Sequence, residues 1–420
     1  MKKQIPNTIK LLFTCFFLIL ISGCGDQKEV EELAYIIALG IDKSEENEDR
    51  IQITYLISNP EAGTTAQGGN SGEPSREIIS FEAEDFISSM NLANTVIAKE
   101  ISYDLLRILV VSEDFARDEK FIRWIYDATK SLEIRRDARL LVSKEETATF
   151  LMNNQPVLET RPHEYFNLIF NRGSEVGITP PSELHTFFRI TEADADLFLG
   201  IYSTSEVNEN APSRRDSEQV KAGDFHYKGE TNNVQFAGSA VFKEGKMIDS
   251  LTIEETRFSI MLHPILTSKD ILATFPDPFN DEYRITARIN KDGEVSTKMN
   301  LHSATPSIDV SVPILIEVLT NHSMTNYPKD DDKRKKLKES FEQTLEEKYK
   351  KLIKKTQEEY GSEPFGWSIL ARKHFKTIPD WEKFDWMKTY PKMDINVSVH
   401  VRLGKFGRQS DLPNLEEVRD

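Results

Sequence analysis

The longest apolar run in this chain, Leu11 to Ile21, is broken only by Thr14 and is about eleven residues long. A helix needs ~20 apolar residues to cross a bilayer. Lys2, Lys3 and Lys10 form a positive front to the run, and the small residues Ser22 and Gly23 follow it. A basic front, a short apolar centre and a small-residue end make an export signal. The chain has two cysteines, Cys15 inside that segment and Cys24 just after it. Once the segment is removed there is no disulfide and no thiolate metal site to hold the fold. An ordinary apolar core must do so, and the 397 residues from Cys24 onward suffice for two or three domains.

Ile21-Ser22-Gly23-Cys24 places an aliphatic and two small residues directly before a cysteine. This resembles the lipobox of bacterial lipoprotein precursors. The resemblance implies a diacylglyceryl thioether on Cys24, cleavage before it, and an acyl group on the new amino terminus. No other cofactor is expected. Removing Lys2, Lys3 and Lys10 takes the formal net charge from −16 to −19. Such a surface argues against nucleic acid as a partner and against electrostatic attachment to an anionic membrane. Attachment then falls to the acyl chains, of which two hold where one is marginal.

Along the chain, Leu33 to Ile41 reads as a buried strand, and Arg50 to Ser58 as a half-buried one through Ile51, Ile53, Tyr55 and Ile57. Residues 62–75 are small and polar, a loop, and Ile78 to Phe81 is the returning strand. Glu84 to Lys99 reads as a helix with Phe86, Ile87, Met90 and Ile97 inward. Strands at Leu105 to Val111 and Ala138 to Val142 alternate with helices at Asp118 to Lys130 and Lys144 to Met152. Alternation of this kind argues an α/β layer. Residues 203–232 carry almost no apolar side chains and read as an inter-domain linker. A hairpin through Glu244-Gly245 and a helix at Thr252 to Met261 come next. Tyr283 to Ile289, an Asp292-Gly293 turn, Val295 to Leu301 and Ile308 to Leu319 read as an antiparallel meander. The clearest helix runs from about Asp331 to Tyr360. Leu337, Phe341, Leu345, Tyr349, Leu352, Thr356 and Tyr360 make its inward stripe, and Gly361 stops it.

The predicted fold is therefore α/β or α+β and multidomain. It has a signal peptide (1–23), a mixed-sheet N-terminal domain (24–202), a linker (203–232), a C-terminal domain of antiparallel sheet plus long helix (233–408) and a tail (409–420).

Cys24, Asp26, Glu29, Leu33 and Gly40-Ile41-Asp42 stand in the order Cys-x-Asp-x-x-Glu, Leu, Gly-Ile-Asp. Near the other end come Tyr360-Gly361-x-x-Pro364-Phe365-Gly366-Trp367, Pro379-x-Trp381 and an alternating strand, Ile395 to Leu403. This succession resembles the Ger(x)C family, the C-subunit lipoproteins of spore germinant receptors. Gly25 departs from the pattern, in which an aromatic residue, commonly tryptophan, follows the cysteine. An aromatic insertion at the membrane interface is not carried over. The resemblance implies a non-catalytic subunit, lipid-anchored on the outer face of the spore's inner membrane beside two integral membrane subunits, A and B. The complex would respond to small nutrients.

The residues offer no competing chemistry. The eight histidines are isolated and form no His-Glu-x-x-His pair, and there is no Gly-x-Ser-x-Gly elbow or P-loop. Neighbouring acids such as Glu254-Glu255 and Glu346-Glu347 diverge on a helix. Two other readings remain: a solute-binding lipoprotein of a transporter, which needs an apolar cleft between lobes, and a structural envelope lipoprotein. Seven aromatic residues between Phe365 and Tyr390 read as core, with Trp367 and Trp381 inside and Trp386 the exception.

Overall fold

The structure, a computed structural model, describes residues 32–58, 76–130, 134–193, 195–211 and 218–407. The signal segment, Cys24, the loop at 62–75 and the tail lie outside the described residues.

The first sheet contains β1 (Leu33–Lys43), β2 (Ile51–Ser58), β3 (Arg76–Ala83), β4 (Glu100–Ser102), β5 (Ile108–Ser112), β6 (Arg139–Ser143), β7 (Phe198–Thr204), β8 (Gln235–Lys243) and β9 (Lys246–Leu251). Its order is β3-β2-β1-β5-β6-β7-β8-β9, with β4 beside the start of β1. The centre, β1-β5-β6-β7, is parallel, and an antiparallel extension flanks it on each side. The central strands are continuous apolar runs because both faces are covered. Leu109 and Val111 join one core, and Ile108 and Val110 join the core on the opposite face.

The first sheet continues on both sides of the polar segment 203–232. The Glu244-Gly245 hairpin is present, with φ of 51° and 81° in a two-residue turn, as the twist of paired strands requires. Its first strand, however, pairs with β7 of the first sheet, in register from Phe198 opposite Phe242. Residues 205–234 therefore connect two neighbouring strands of one sheet. Their polar composition marks a surface excursion without revealing what it joins.

One helix near the first sheet is also rephased. It spans Phe86–Ala93 and buries Phe86, Ser89 and Ala93, while Ile87 is exposed. The Asp85 cap, accepting from the N–H of Ile87 and Ser88, fixes the start. Ser89 faces inward because its hydroxyl meets Tyr55 at 2.5 Å, and Tyr55 in turn meets Tyr103 at 2.6 Å.

The helix Ile253–Leu262, with a capping box between Thr252 and Glu255, leads into the second sheet. That sheet contains β10 (Ile271–Asp277), β11 (Asn280–Lys291), β12 (Ser296–Asn300), β13 (Ser307–Asn321) and β14 (Asp394–Phe406). β11 and β12 pair antiparallel with successive stretches of β13, Lys291 opposite Ile314 and Ser296 opposite Ser311, so that four residues of one strand face two of the other. Asp292-Gly293 is therefore a bulge within a long hairpin arm and not the expected turn. β14 pairs with the same stretch of β13 and must lie on its other side. It runs parallel to β13, which is possible because the long helix makes the crossover.

That helix, Asp331–Lys355, is capped by Asp330 and continues as a π turn over Thr356–Tyr360. All seven residues of its expected stripe are buried. Glu346 and Glu342 on the helix accept the N–H groups of Val399 and Val401 at 3.0 and 2.8 Å. These bonds satisfy donors on the outer edge of β14, which would otherwise be a template for another chain.

Candidate functional site

Tyr360 to Trp367 seams the two sheets together. Gly361, at φ 68°, ends the π turn. Lys243 of β8 donates to the Tyr360 carbonyl at 2.8 Å, and the Tyr360 hydroxyl donates to Asp249 of β9 at 2.5 Å. Burial and that carboxylate push the Tyr360 phenol far above its ordinary range. Further on, the Ser362 hydroxyl donates to the Ala195 carbonyl, and the Leu197 N–H donates to the Glu363 carbonyl at 2.9 Å.

These bonds bring two carboxyl groups together inside the protein. Glu363 is fully buried and Asp196 is 6% exposed. Glu363 accepts the N–H of Phe365 at 2.5 Å and of Ser368 at 3.0 Å. Asp196 meets the Ser368 hydroxyl and the Glu363 carboxyl. Among the described residues neither acid has a salt-bridge partner, and the Asp196 Oδ1 receives no N–H or hydroxyl donor. Two buried like charges in contact cannot both be ionised cheaply, so the pair retains a proton. Burial raises Asp196 to about 6, and burial followed by the repulsion of Asp196 raises Glu363 well above the usual carboxylate range.

Asp196 forms part of the wall of a cavity of about 390 Å³ between the sheets. Its walls are mostly apolar, including Pro181, Ile190, Phe198, Leu266, Pro364 and Ile369, and Arg189 stands exposed at its edge. His263 closes one side. Its Nδ1 accepts the N–H groups of Ile265 and Leu266, each at 3.1 Å, which leaves the proton on Nε2. Burial, then the charges of Lys291 and Arg189, lower His263 to about 4. Lys291 holds this wall in place by donating to the carbonyls of Ile260, His263 and Leu266 at 3.2, 2.9 and 2.7 Å. A cation at a helix C-terminus is favourable, and burial lowers Lys291 to about 8. Gly366, at φ 70°, allows the histidine ring to sit where a Cβ would approach its Nε2 to 2.5 Å.

Of the residues singled out in the sequence, Ile21, Ser22, Gly23 and Cys24 lie outside the described residues. The Gly40-Ile41-Asp42 motif is architectural. Asp42 is buried, and its carboxylate caps the helix Thr147–Asn153 by accepting from the Thr147 N–H at 3.1 Å and the Thr147 hydroxyl at 2.5 Å. A Cβ on Gly40 would collide with that same threonine. Sequence reasoning missed Glu363 and Asp196. The first occupies an unassigned position inside the Tyr-Gly-x-x-Pro-Phe-Gly-Trp motif, where an acid among aromatics was the available signal.

The aromatic cluster is core, with two roles exchanged. Trp367 is fully buried as expected, with its ring centroid 4.7 Å from that of Phe365. Trp386 is also buried, 5.9 Å from Tyr390, whereas Trp381 is only half-buried. Trp381 lies on the outer helix Ile378–Phe384, which has no fully buried residue and lays it over Phe384 and Trp386.

Residues 26–204 match the family model described as the spore germination protein N-terminal domain. Residues 237–407 match that described as spore germination B3/GerAC like, C-terminal. The second match begins inside β8, so the family boundary and the sheet boundary do not coincide. The chain is 23% identical to spore germination protein YndF of Bacillus subtilis (strain 168), covering 97% of this chain and 98% of the relative. It is 22% identical to spore germination protein B3 of the same organism, covering 93% and 96%. Superposition on the crystal structure of the GerBC protein covers 89% of this chain and 99% of that one, at 16% identity and a TM-score of 0.48. The two matched domains, in order and spanning nearly the whole described chain, make this protein a member of the Ger(x)C family of spore germination proteins.

Proposed function

We propose that this chain is the lipid-anchored, non-catalytic subunit of a nutrient germinant receptor, working beside two integral membrane subunits. The observation that carries the reading is the pair of spore germination domains, the first of which starts two residues after Cys24. Among the described residues no helix is long and apolar enough to cross a membrane. The anchor assigned here is the acylated Cys24. The eight residues Gly25 to Glu32 reach at most ~28 Å, at ~3.5 Å each, so β1 and its sheet would sit close to the bilayer. A strongly acidic surface adds no attraction to anionic lipid.

Deletion of the gene, with complementation by wild type or by Cys24→Ala, tests the proposal. Spores lacking the protein should respond poorly to some nutrients yet germinate normally with nutrient-independent triggers. Wild type should restore the response and Cys24→Ala should not. Full restoration by Cys24→Ala would refute the anchored reading.

A further inference from the structure

The two ends of the first sheet differ in their surfaces. At the near end β1 starts at Leu33, and only the eight residues Gly25 to Glu32 separate it from Cys24. β4 starts beside it, Glu100 opposite Leu33. The helix Phe86–Ala93 and the turn at 94–99 carry the chain to β4 from the far end of β1, where Ala83 pairs with Ile51 and Ile51 with Lys43. Phe86, Ala93 and Ile97 face the core beneath, while Ile87, Leu92 and Val96 face outward, Val96 at 70% exposure. From Phe86 to Ala98 there is no Asp, Glu, Lys or Arg, in a chain that is 29% charged. On the opposite face of the sheet, Arg76 pairs with Ser58, which lies beside Tyr35 of β1. Arg76 donates to the Asn154 carbonyl and so brings the exposed Val157 and Leu158 to the same end. Single apolar residues on a surface are ordinary, but two uncharged strips at one end make a patch. The far end is acidic. Glu45, Glu46, Glu48 and Asp49 crowd the turn from β1 to β2, with Glu145 and Glu146 across from them.

We propose that the near end of the first sheet rests on the lipid bilayer through Leu92, Val96, Val157 and Leu158, with the acidic end pointing away from the membrane. The inference rests on the lipid-anchored reading above and adds to it an orientation and a contact surface. The tether selects lipid as the occupant of this surface. The acyl chains on Cys24 lie in the membrane, and the eight residues that follow reach at most ~28 Å, at ~3.5 Å each. β1, with eleven residues, spans ~36 Å at ~3.3 Å each. If the acidic end faced the bilayer, Leu33 would stand ~36 Å above it, out of reach of that tether. Charge favours the same orientation. An anionic leaflet repels the acidic end, while exposed apolar side chains gain from burial at the boundary of headgroups and acyl chains.

On the anchored reading, cleavage removes Cys15 and acylation consumes the Cys24 thiol, so one introduced cysteine takes a single label. Val96→Cys, Leu158→Cys and Glu46→Cys, each expressed as the full precursor and acylated, are labelled with a nitrobenzoxadiazole dye and reconstituted in phosphatidylcholine vesicles. All three positions are exposed in the protein, and Glu46 marks the far end. Aqueous iodide should quench the dye at Val96 and at Leu158 at least about fivefold less than the dye at Glu46. Lipid carrying a shallow nitroxide should quench the first two and leave the third unchanged. Two reporters at the near end keep the test decisive if one variant fails to fold. A dye at Val96 or Leu158 as open to iodide as that at Glu46, in protein that sediments with the vesicles, would overturn the contact and leave the anchor standing. Protein that stays in the supernatant would overturn the anchor and the contact together.

Discussion

Replacing Asp196 by asparagine isolates the energetic consequence of the buried acid pair. Burial raises Asp196 from 3.8 to about 6. A carboxyl with a higher pKa in the folded state takes up a proton on folding between the two values. Its stabilising contribution is fully present below about pH 3.8 and is lost as the pH rises through about 6. A shift of that size corresponds to about 3 kcal/mol. With each kcal/mol worth roughly 2–4 °C in a domain of this size, the effect on Tm is roughly 6–12 °C. In Asp196→Asn the side-chain amide donates to Glu363 at every pH, in place of the shared proton, and the repulsion that raises Glu363 disappears. Many other carboxylates titrate in this interval, so the informative quantity is the difference in Tm between wild type and variant. Thermal melts of both proteins by circular dichroism from pH 4 to 7.5 measure it. Wild type should lose Tm relative to the variant as the pH rises. Parallel curves, or a relative gain by wild type toward neutral pH, would refute the reasoning.

Further consequences concern packing and attachment. Trp367→Ala removes a fully buried ring and should cost about 3–5 kcal/mol, whereas Trp381→Ala, at a half-buried position, should cost about 1 kcal/mol; urea denaturation giving equal losses would contradict this arrangement of the cluster. Gly366→Ala imposes a side chain at φ 70° against His263 and should destabilise by more than about 1 kcal/mol, as the same denaturation series reads out. Cys24→Ala should leave an uncleaved precursor or release the protein from salt-washed membranes, and normal retention of a processed product would argue against the lipid anchor.

The sequence made some parts of this fold legible and hid others for identifiable reasons. The long helix was readable because seven side chains repeat at helical spacing over a charged background, and all seven are buried. Three of the four central parallel strands were readable as apolar runs, while β7 was not. Ser89 was not, because its inward direction comes from a hydrogen bond to Tyr55, a residue thirty-four positions away. The hairpin turn at Glu244-Gly245 was visible locally, but the sheet it joins is decided by pairing with β7. Asp292-Gly293 carries the composition of a turn, yet it serves as a bulge because pairing with β13 resumes beyond it, two residues out of step. The acid pair was the least legible feature. Asp196 and Glu363 are 167 residues apart in a chain with 69 acids, and only the seam between the sheets brings them together.

We propose this chain as a membrane-anchored subunit of a germinant receptor, and its partners can be measured. Affinity purification of the tagged full-length protein from detergent-solubilised spore membranes, followed by mass spectrometry, tests it most directly. Two polytopic membrane proteins should be recovered in stoichiometric amounts, and both should be lost when Cys24→Ala is purified in the same way. Recovery of the wild-type protein from the membrane fraction without any polytopic partner would contradict it.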